Sequence, residues 1–224
     1  RSVSRGLGDV YKRQEKYIAQ GGDWGSMITK WIAELFPENC IGIHLNLVIA
    51  FPPEGEDSML GVLQEEIEGM KNIEKYQATG YGYFAIQSTK PQTLGYGLND
   101  SPVGLAAWII EKFHGWTKDD SDKLVVPLDD VLAIVSLYWH TESITSSARF
   151  YYENGPLGFT FNPVSQPMAG AIFENEIARP PRVWAEKIYN IVQWNQYPGG
   201  HFAALENPKI LSEDIFNFAA KLEI

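Results

Sequence analysis

Of the 224 residues, one is cysteine, Cys40, so neither an internal disulfide framework nor a multi-cysteine zinc site can be built. Basic residues are also few. Lys and Arg number 18 against 28 Asp and Glu, a net charge of -10, which excludes a general binder of nucleic acid or of anionic membranes. No apolar run approaches the roughly 20 residues that span a bilayer. What is abundant is core material: 45% of residues are hydrophobic and 13% aromatic, the composition of a globular chain.

Residues 1–14 (RSVSRGLGDVYKRQ) run against the acidic trend and show no helical or strand periodicity. They read as a non-native leader, with the natural protein expected to begin further upstream. From Lys16 the pattern is α/β. Tyr17-Ile18-Ala19 is strand-like. A helix follows with Met27, Ile28, Trp31, Ile32, Leu35 and Phe36 as its buried face, ended by Pro37, and Ile41–Val48 reads as a buried strand. Residues 58 to about 150 carry amphipathic helices punctuated by Gly80, Gly82, Pro91, Pro102 and Pro127, and no convincing strand. Strand signals return at Val164–Phe173 and Ile188–Trp194, and a last helix is expected from Ala203 through Ala219. The expected organisation is a core over 15–51 and 156–224, with a helical lid over 52–155.

Between the first strand and its helix stands Gly21-Gly22-Asp23-Trp24-Gly25, the small-x-nucleophile-x-small layout of a nucleophile elbow. The other reading of Asp23 is a helix N-cap after a glycine turn. Near the far end, His201 sits in Pro198-Gly199-Gly200-His201-Phe202, beyond a strand end where α/β folds gather their sites. A capping or surface role stays open for it. His44 lies in a buried strand, His114 beside a Gly-Trp pair and His140 on a helix. Glu176, shortly after the strand ending at Phe173, is placed to orient the imidazole. Acid nucleophile, carboxylate, histidine is the α/β-hydrolase order.

Four segments carry a more specific signal: Gly21–Ser26 (GGDWGS), Ile86–Thr93 (IQSTKPQT), Leu98–Ala107 (LNDSPVGLAA) and Gly199–Ala204 (GGHFAA). Together, and in this order, they resemble the microsomal and juvenile-hormone type of epoxide hydrolase, nearly collinearly from Lys16 to Glu223. The resemblance implies an α/β-hydrolase core with a helical lid and conversion of epoxides to vicinal diols. Asp23 would be the nucleophile, His201 the base and Glu176 the charge-relay acid, with Glu174 the competing assignment. Tyr83 and Tyr151 would hold the epoxide oxygen, Tyr152 being the residue most easily confused with Tyr151. The backbone N–H of Trp24 would serve the oxyanion. The expected partners are an epoxide and water. Neither a metal nor an organic cofactor is required, and a homodimer is left open. Some members of that family carry an N-terminal membrane anchor, so localisation stays open too.

One expected part has no counterpart. The family's second oxyanion donor lies in a His-Gly-x-Pro loop, and the sole His-Gly here, His114-Gly115-Trp116-Thr117, lacks the proline and falls in the helical region. The chain therefore reads as the C-terminal half to two thirds of an enzyme and is expected to be weak or inactive alone. Loss of one such donor costs on the order of 10²–10³ in rate. The lid aromatics Tyr81, Tyr83, Phe84, Trp108, Phe113, Trp116, Trp139 and Phe150 suggest a pocket for bulky aryl or alkyl epoxides. Two rival readings are a haloalkane-dehalogenase-like hydrolase, which needs N–H donors for its halide, and a non-catalytic α/β-hydrolase shell that binds ligand.

Overall fold

A computed structural model describes residues 15–55, 57–117, 123–155 and 162–222. The expected leader, 1–14, lies outside them. Four strands form one parallel sheet in the order β1 (Tyr17–Gly21), β2 (Cys40–Leu45), β3 (Val164–Asn175), β4 (Tyr189–Gly200). Parallel strands need crossovers, and the crossovers supply the rest of the molecule. Helix α1 (Trp24–Leu35) joins β1 to β2, and α8 (Arg182–Ala185) lies between β3 and β4. Between β2 and β3 stand six helices: α2 (Gln64–Lys75), α3 (Gly82–Thr89), α4 (Pro91–Asp100), α5 (Pro102–Gly115), α6 (Leu128–His140) and α7 (Ile144–Asn154). A π-helical turn, Tyr76–Gly80, leads from α2 toward α3. No strand interrupts this region among the described residues.

Proline sets several of these boundaries. The residue before a proline is pushed out of the helical region, while proline itself suits the first helical turn. Lys90 and Ser101 accordingly leave helical geometry, and α4 and α5 begin at Pro91 and Pro102. The same rule corrects the expectation of a single terminal helix. Asn207 precedes Pro208 and adopts φ -139°, so the segment splits into α9 (Ala203–Glu206) and α10 (Pro208–Lys221).

The buried face of α1 also differs from the one its apolar spacing suggests. Ser26, Met27, Thr29, Lys30 and Ala33 face inward, whereas Ile28 is 42% and Leu35 70% exposed. Packing at the strand end is close. A Cβ on Gly21 would meet the Gly25 carbonyl oxygen at 2.1 Å and Thr29 Oγ1 at 2.6 Å. The Ser26 hydroxyl donates to the Gly21 carbonyl at 3.1 Å. Buried Lys30 is paired with Glu34.

Ile43, Leu45, Val48, Met168 and Ile172 form the main core together with Trp184 and Ile188, so β2 and β3 are apolar on the faces that helices cover. The six-helix region has its own small core of Leu98, Leu105, Val135 and Ile144. It is tied to the sheet end by Phe113, which stacks on Phe202 with ring centroids 4.0 Å apart.

Polar groups pin the last helix. Fully buried His44 of β2 meets Asp214 of α10, Nε2 to Oδ2, at 2.9 Å. Asp214 also accepts from Asn195 at 2.6 Å and from the Tyr197 hydroxyl at 2.5 Å. Burial opposes the charge on Asp214, but the hydrogen bonds, led by that of His44, outweigh it and hold the carboxyl down at about 2. Removing one member of such a buried cluster strands the others. Asp214→Ala is expected to cost about 3–5 kcal/mol in urea unfolding at neutral pH. Because the folded carboxyl lies below its ordinary 3.8, its contribution is present above that pH and is lost as pH falls toward about 2. The variant should therefore show a shallower acid limb there; an unchanged limb would mean that Asp214 contributes no linkage.

Candidate active site

Because all four strands run the same way, the residues just beyond β1, β3 and β4 collect at one edge of the sheet. Asp23 follows β1, Glu176 follows β3 and His201 follows β4.

Asp23 occupies the N-cap position of α1, yet its side chain makes no capping hydrogen bond. Its backbone stands at φ +52°, a conformation that residues other than glycine seldom adopt. The turn is held by its neighbours. Asn46, at the end of β2, packs so closely that a Cβ on Gly22 would lie 2.4 Å from its amide nitrogen, and Gln20 donates to the Asn46 side-chain oxygen at 2.8 Å. The strained residue is thus an acid whose carboxylate is half exposed toward the helical region and not spent on the helix end.

His201 is buried between two carboxylates. Its Nδ1 lies 2.6 Å from Glu176 Oε1, and its Nε2 lies 3.5 Å from Asp23 Oδ2. Glu176 is itself buried, with Oε1 also accepting the Ile177 N–H at 2.8 Å. Asn72 of α2 donates to the carbonyl oxygens of Glu174 and Glu176, which holds the loop that carries the acid. Glu174 points its side chain outward, so the carboxylate that reaches the imidazole is that of Glu176. Burial alone would push the imidazole down. The charges and hydrogen bonds of Glu176 and Asp23 override this and raise it to about 10.

Above Asp23 lies a cage of aromatic rings. Tyr151 meets Trp24 edge-on at 5.3 Å and Tyr83 at 5.8 Å, with Phe84 and Phe150 completing that wall. Tyr152, next in sequence, faces solvent. Burial and the Asp23 charge push Tyr151 up to about 12, partly offset by hydrogen bonding to the Trp24 and Tyr83 side chains. Tyr83 is pushed further up, first by burial and then by Tyr151 and Tyr76. Both phenols therefore keep their protons at neutral pH. Of the lid aromatics, Tyr81, Tyr83, Phe84, Trp116 and Phe150 join this cage, whereas Trp108 and Trp139 pack in the helical core.

Three participants have no motif that marks them. The Tyr76 hydroxyl lies 3.2 Å from that of Tyr83. Trp116 packs edge-on against His201 at 4.9 Å, and its carbonyl accepts the His201 N–H at 2.8 Å. The His114-Gly115-Trp116-Thr117 segment thus backs the histidine. Third, the Lys112 ammonium lies 4.6 Å from the centre of the Tyr83 ring. Aromatic and lysine residues in a helical region are usually packing and surface, so sequence alone offers no reason to single out Tyr76 or Lys112, and it gives Trp116 only as one of the lid aromatics. Among the described residues no group of three or more His, Cys, Asp or Glu could hold a metal ion, and no helix is long and apolar enough to cross a membrane.

The array predicts an imidazolium at rest. His201 should stay doubly protonated at pH 8 and titrate near 10 in a nitrogen-resolved NMR titration. Asp23→Asn should lower that midpoint by about one pH unit or more. Since the folded value is raised, the contribution to stability is present below pH 6.5 and fades as pH climbs toward about 10. Titration near 6.5 in the parent would contradict this arrangement.

No family model matches the chain. It is 38% identical over 236 residues to epoxide hydrolase 1 of Sus scrofa, covering 94% of this chain and 52% of that protein. It is 39% identical over 234 residues to juvenile hormone epoxide hydrolase 1 of Ctenocephalides felis, covering 93% and 50%. The solved epoxide hydrolase of Aspergillus niger superposes with a TM-score of 0.87 at 33% identity, over 98% of this chain and 56% of that one. The chain spans about half the length of the curated relatives it matches. Over most of its length, then, the chain is similar to epoxide hydrolases, and its parallel sheet flanked by helices is that of the α/β-hydrolase fold.

Proposed function

We propose that this site hydrolyses epoxides to vicinal diols through a covalent ester on Asp23, with the helical region 52–155 acting as the lid that carries the two tyrosines. One observation carries the reading: a strained, uncapped Asp23 and a buried Glu176–His201 pair face a cage that holds two protonated phenols.

An epoxide carbon is attacked by a carboxylate with no prior deprotonation. As the ring C–O bond breaks, its oxygen gathers negative charge. Hydrogen bonds from Tyr83 and Tyr151 stabilise it, and one phenol delivers its proton. The product is a hydroxyalkyl ester of Asp23. A halide would need N–H donors and no proton, so phenols at this position favour the epoxide over the dehalogenase chemistry.

Ester formation also changes His201. The imidazole is held high by two carboxylates, and esterification removes the charge of one of them. Its proton affinity falls, and its extra proton passes to the tyrosinate left by ring opening, which restores the phenol and leaves the ring neutral. The neutral ring, oriented by Glu176, then takes a proton from water as that water attacks the ester carbonyl carbon. The Trp24 N–H, at the first turn of α1, serves the oxyanion. Collapse regenerates the Asp23 carboxylate and releases the diol. Of the two water protons, one ends on the diol and the other on His201, which returns to its resting imidazolium between two carboxylates.

The test is intact-mass and peptide mass spectrometry after exposure to trans-stilbene oxide or styrene oxide. The parent chain should gain one adduct on the peptide containing Asp23, and Asp23→Asn none. Tyr83→Phe and Tyr151→Phe should each slow labelling about 10²-fold. His201→Gln should prolong the adduct's lifetime. A chain that gives a cooperative melting curve yet takes no label would overturn the reading.

A further inference from the structure

The Lys112 ammonium lies over the Tyr83 ring at 4.6 Å from its centre and 5.7 Å from the rings of Trp108 and Trp116. Its side chain is 14% exposed, well below the norm for lysine, on a helix that has solvent-facing positions available. We propose that Lys112 is a positioning residue for ring opening, which acts electrostatically through Tyr83 and favours transfer of the Tyr83 proton to the epoxide oxygen.

The physical case starts from charge. When Tyr83 gives up its proton, the ring and its oxygen become negative in a poorly solvated cage, and burial, Tyr151, Tyr76 and Asp23 all oppose that. Among the groups packed on the ring, Lys112 brings a positive charge that works the other way. A cation against an aromatic face is attracted to the neutral ring and more strongly to the phenolate, so the interaction grows as the proton leaves. Glu111 pairs with Lys112 at 2.7 Å, but it is 63% exposed and its charge is screened by solvent. Trp108 and Trp116 hold the stem in place. Trp108 is anchored by donation to Gln87 at 3.2 Å, and Trp116 lies between Tyr83 and His201.

The inference rests on the epoxide reading, and its test separates the two. Single-turnover formation of the Asp23 ester with trans-stilbene oxide is timed by quenched mass spectrometry in the parent, Lys112→Met, Lys112→Arg, Tyr83→Phe and the Lys112→Met/Tyr83→Phe double variant. A nearby opposite charge shifts an acid by at least about one pKa unit, so Lys112→Met should slow ester formation about tenfold. Lys112→Arg should recover most of that. In the Tyr83→Phe background the lysine change should have less than a twofold effect, because no phenolic proton remains to be tuned. Ester breakdown should change less than twofold throughout. A tenfold loss that persists without the Tyr83 hydroxyl would show a packing role and overturn the inference, as would an unchanged rate in Lys112→Met. If Lys112→Met melts well below the parent, Lys112→Gln makes the same comparison. No ester in the folded parent would instead remove the epoxide reading, and this inference with it.

Discussion

Parallel pairing of β1, β2, β3 and β4 is the constraint on which the site depends. Asp23, Glu176 and His201 are separated by 153 and 25 residues of sequence, yet each follows directly on a strand whose carboxyl end lies at the same edge. β3 and β4 pair along nearly their whole length, with Asn175 opposite Gly200. One residue beyond that pair on each strand come the acid and the histidine. Their 2.6 Å contact is therefore a property of strand register before it is a property of side chains.

The position of Asp23 is held by close contact. Gly21 lets the strand approach the helix backbone until no Cβ fits between it and the Gly25 carbonyl, and Asn46 occupies the space beneath Gly22. Those contacts carry the cost of the positive φ at Asp23, of order 1–3 kcal/mol for such a conformation.

Electrostatics links the sheet edge to the helical cage. A buried imidazole beside one carboxylate would be an ordinary dyad. Beside two its proton is held more tightly, and in the proposed cycle esterification of one of them releases it. The phenols respond to the same Asp23 charge in the protonated sense, which keeps them available as donors in the proposed cycle. One charged group thus biases both halves of the proposed cycle.

Much of this was legible in the chain itself. GGDWGS marks a turn whose steric demands are local, alternating and continuous apolar runs mark the strands, and proline marks the helix starts; each signal acts over a few residues. Asp23, Glu176 and His201 could be named from motifs and chain order, and Tyr83 and Tyr151 from the resemblance to epoxide hydrolases. Glu176 could not be separated from Glu174, since alternation along an extended segment and its exit angle are decided by what packs around it. Nor could Tyr76 or Lys112 be singled out, and Trp116 is only one of eight aromatics expected around a pocket. Their orientation depends on neighbours distant in sequence, and an aromatic or a lysine at helical spacing has the same local signature whether it faces a phenol of the site or plain core. The sequence by itself determined the fold class, the turn and the chemical repertoire. The tertiary structure alone decided which carboxylate meets the imidazole and which cation lies against the phenol, because contact between remote segments is a matter of packing.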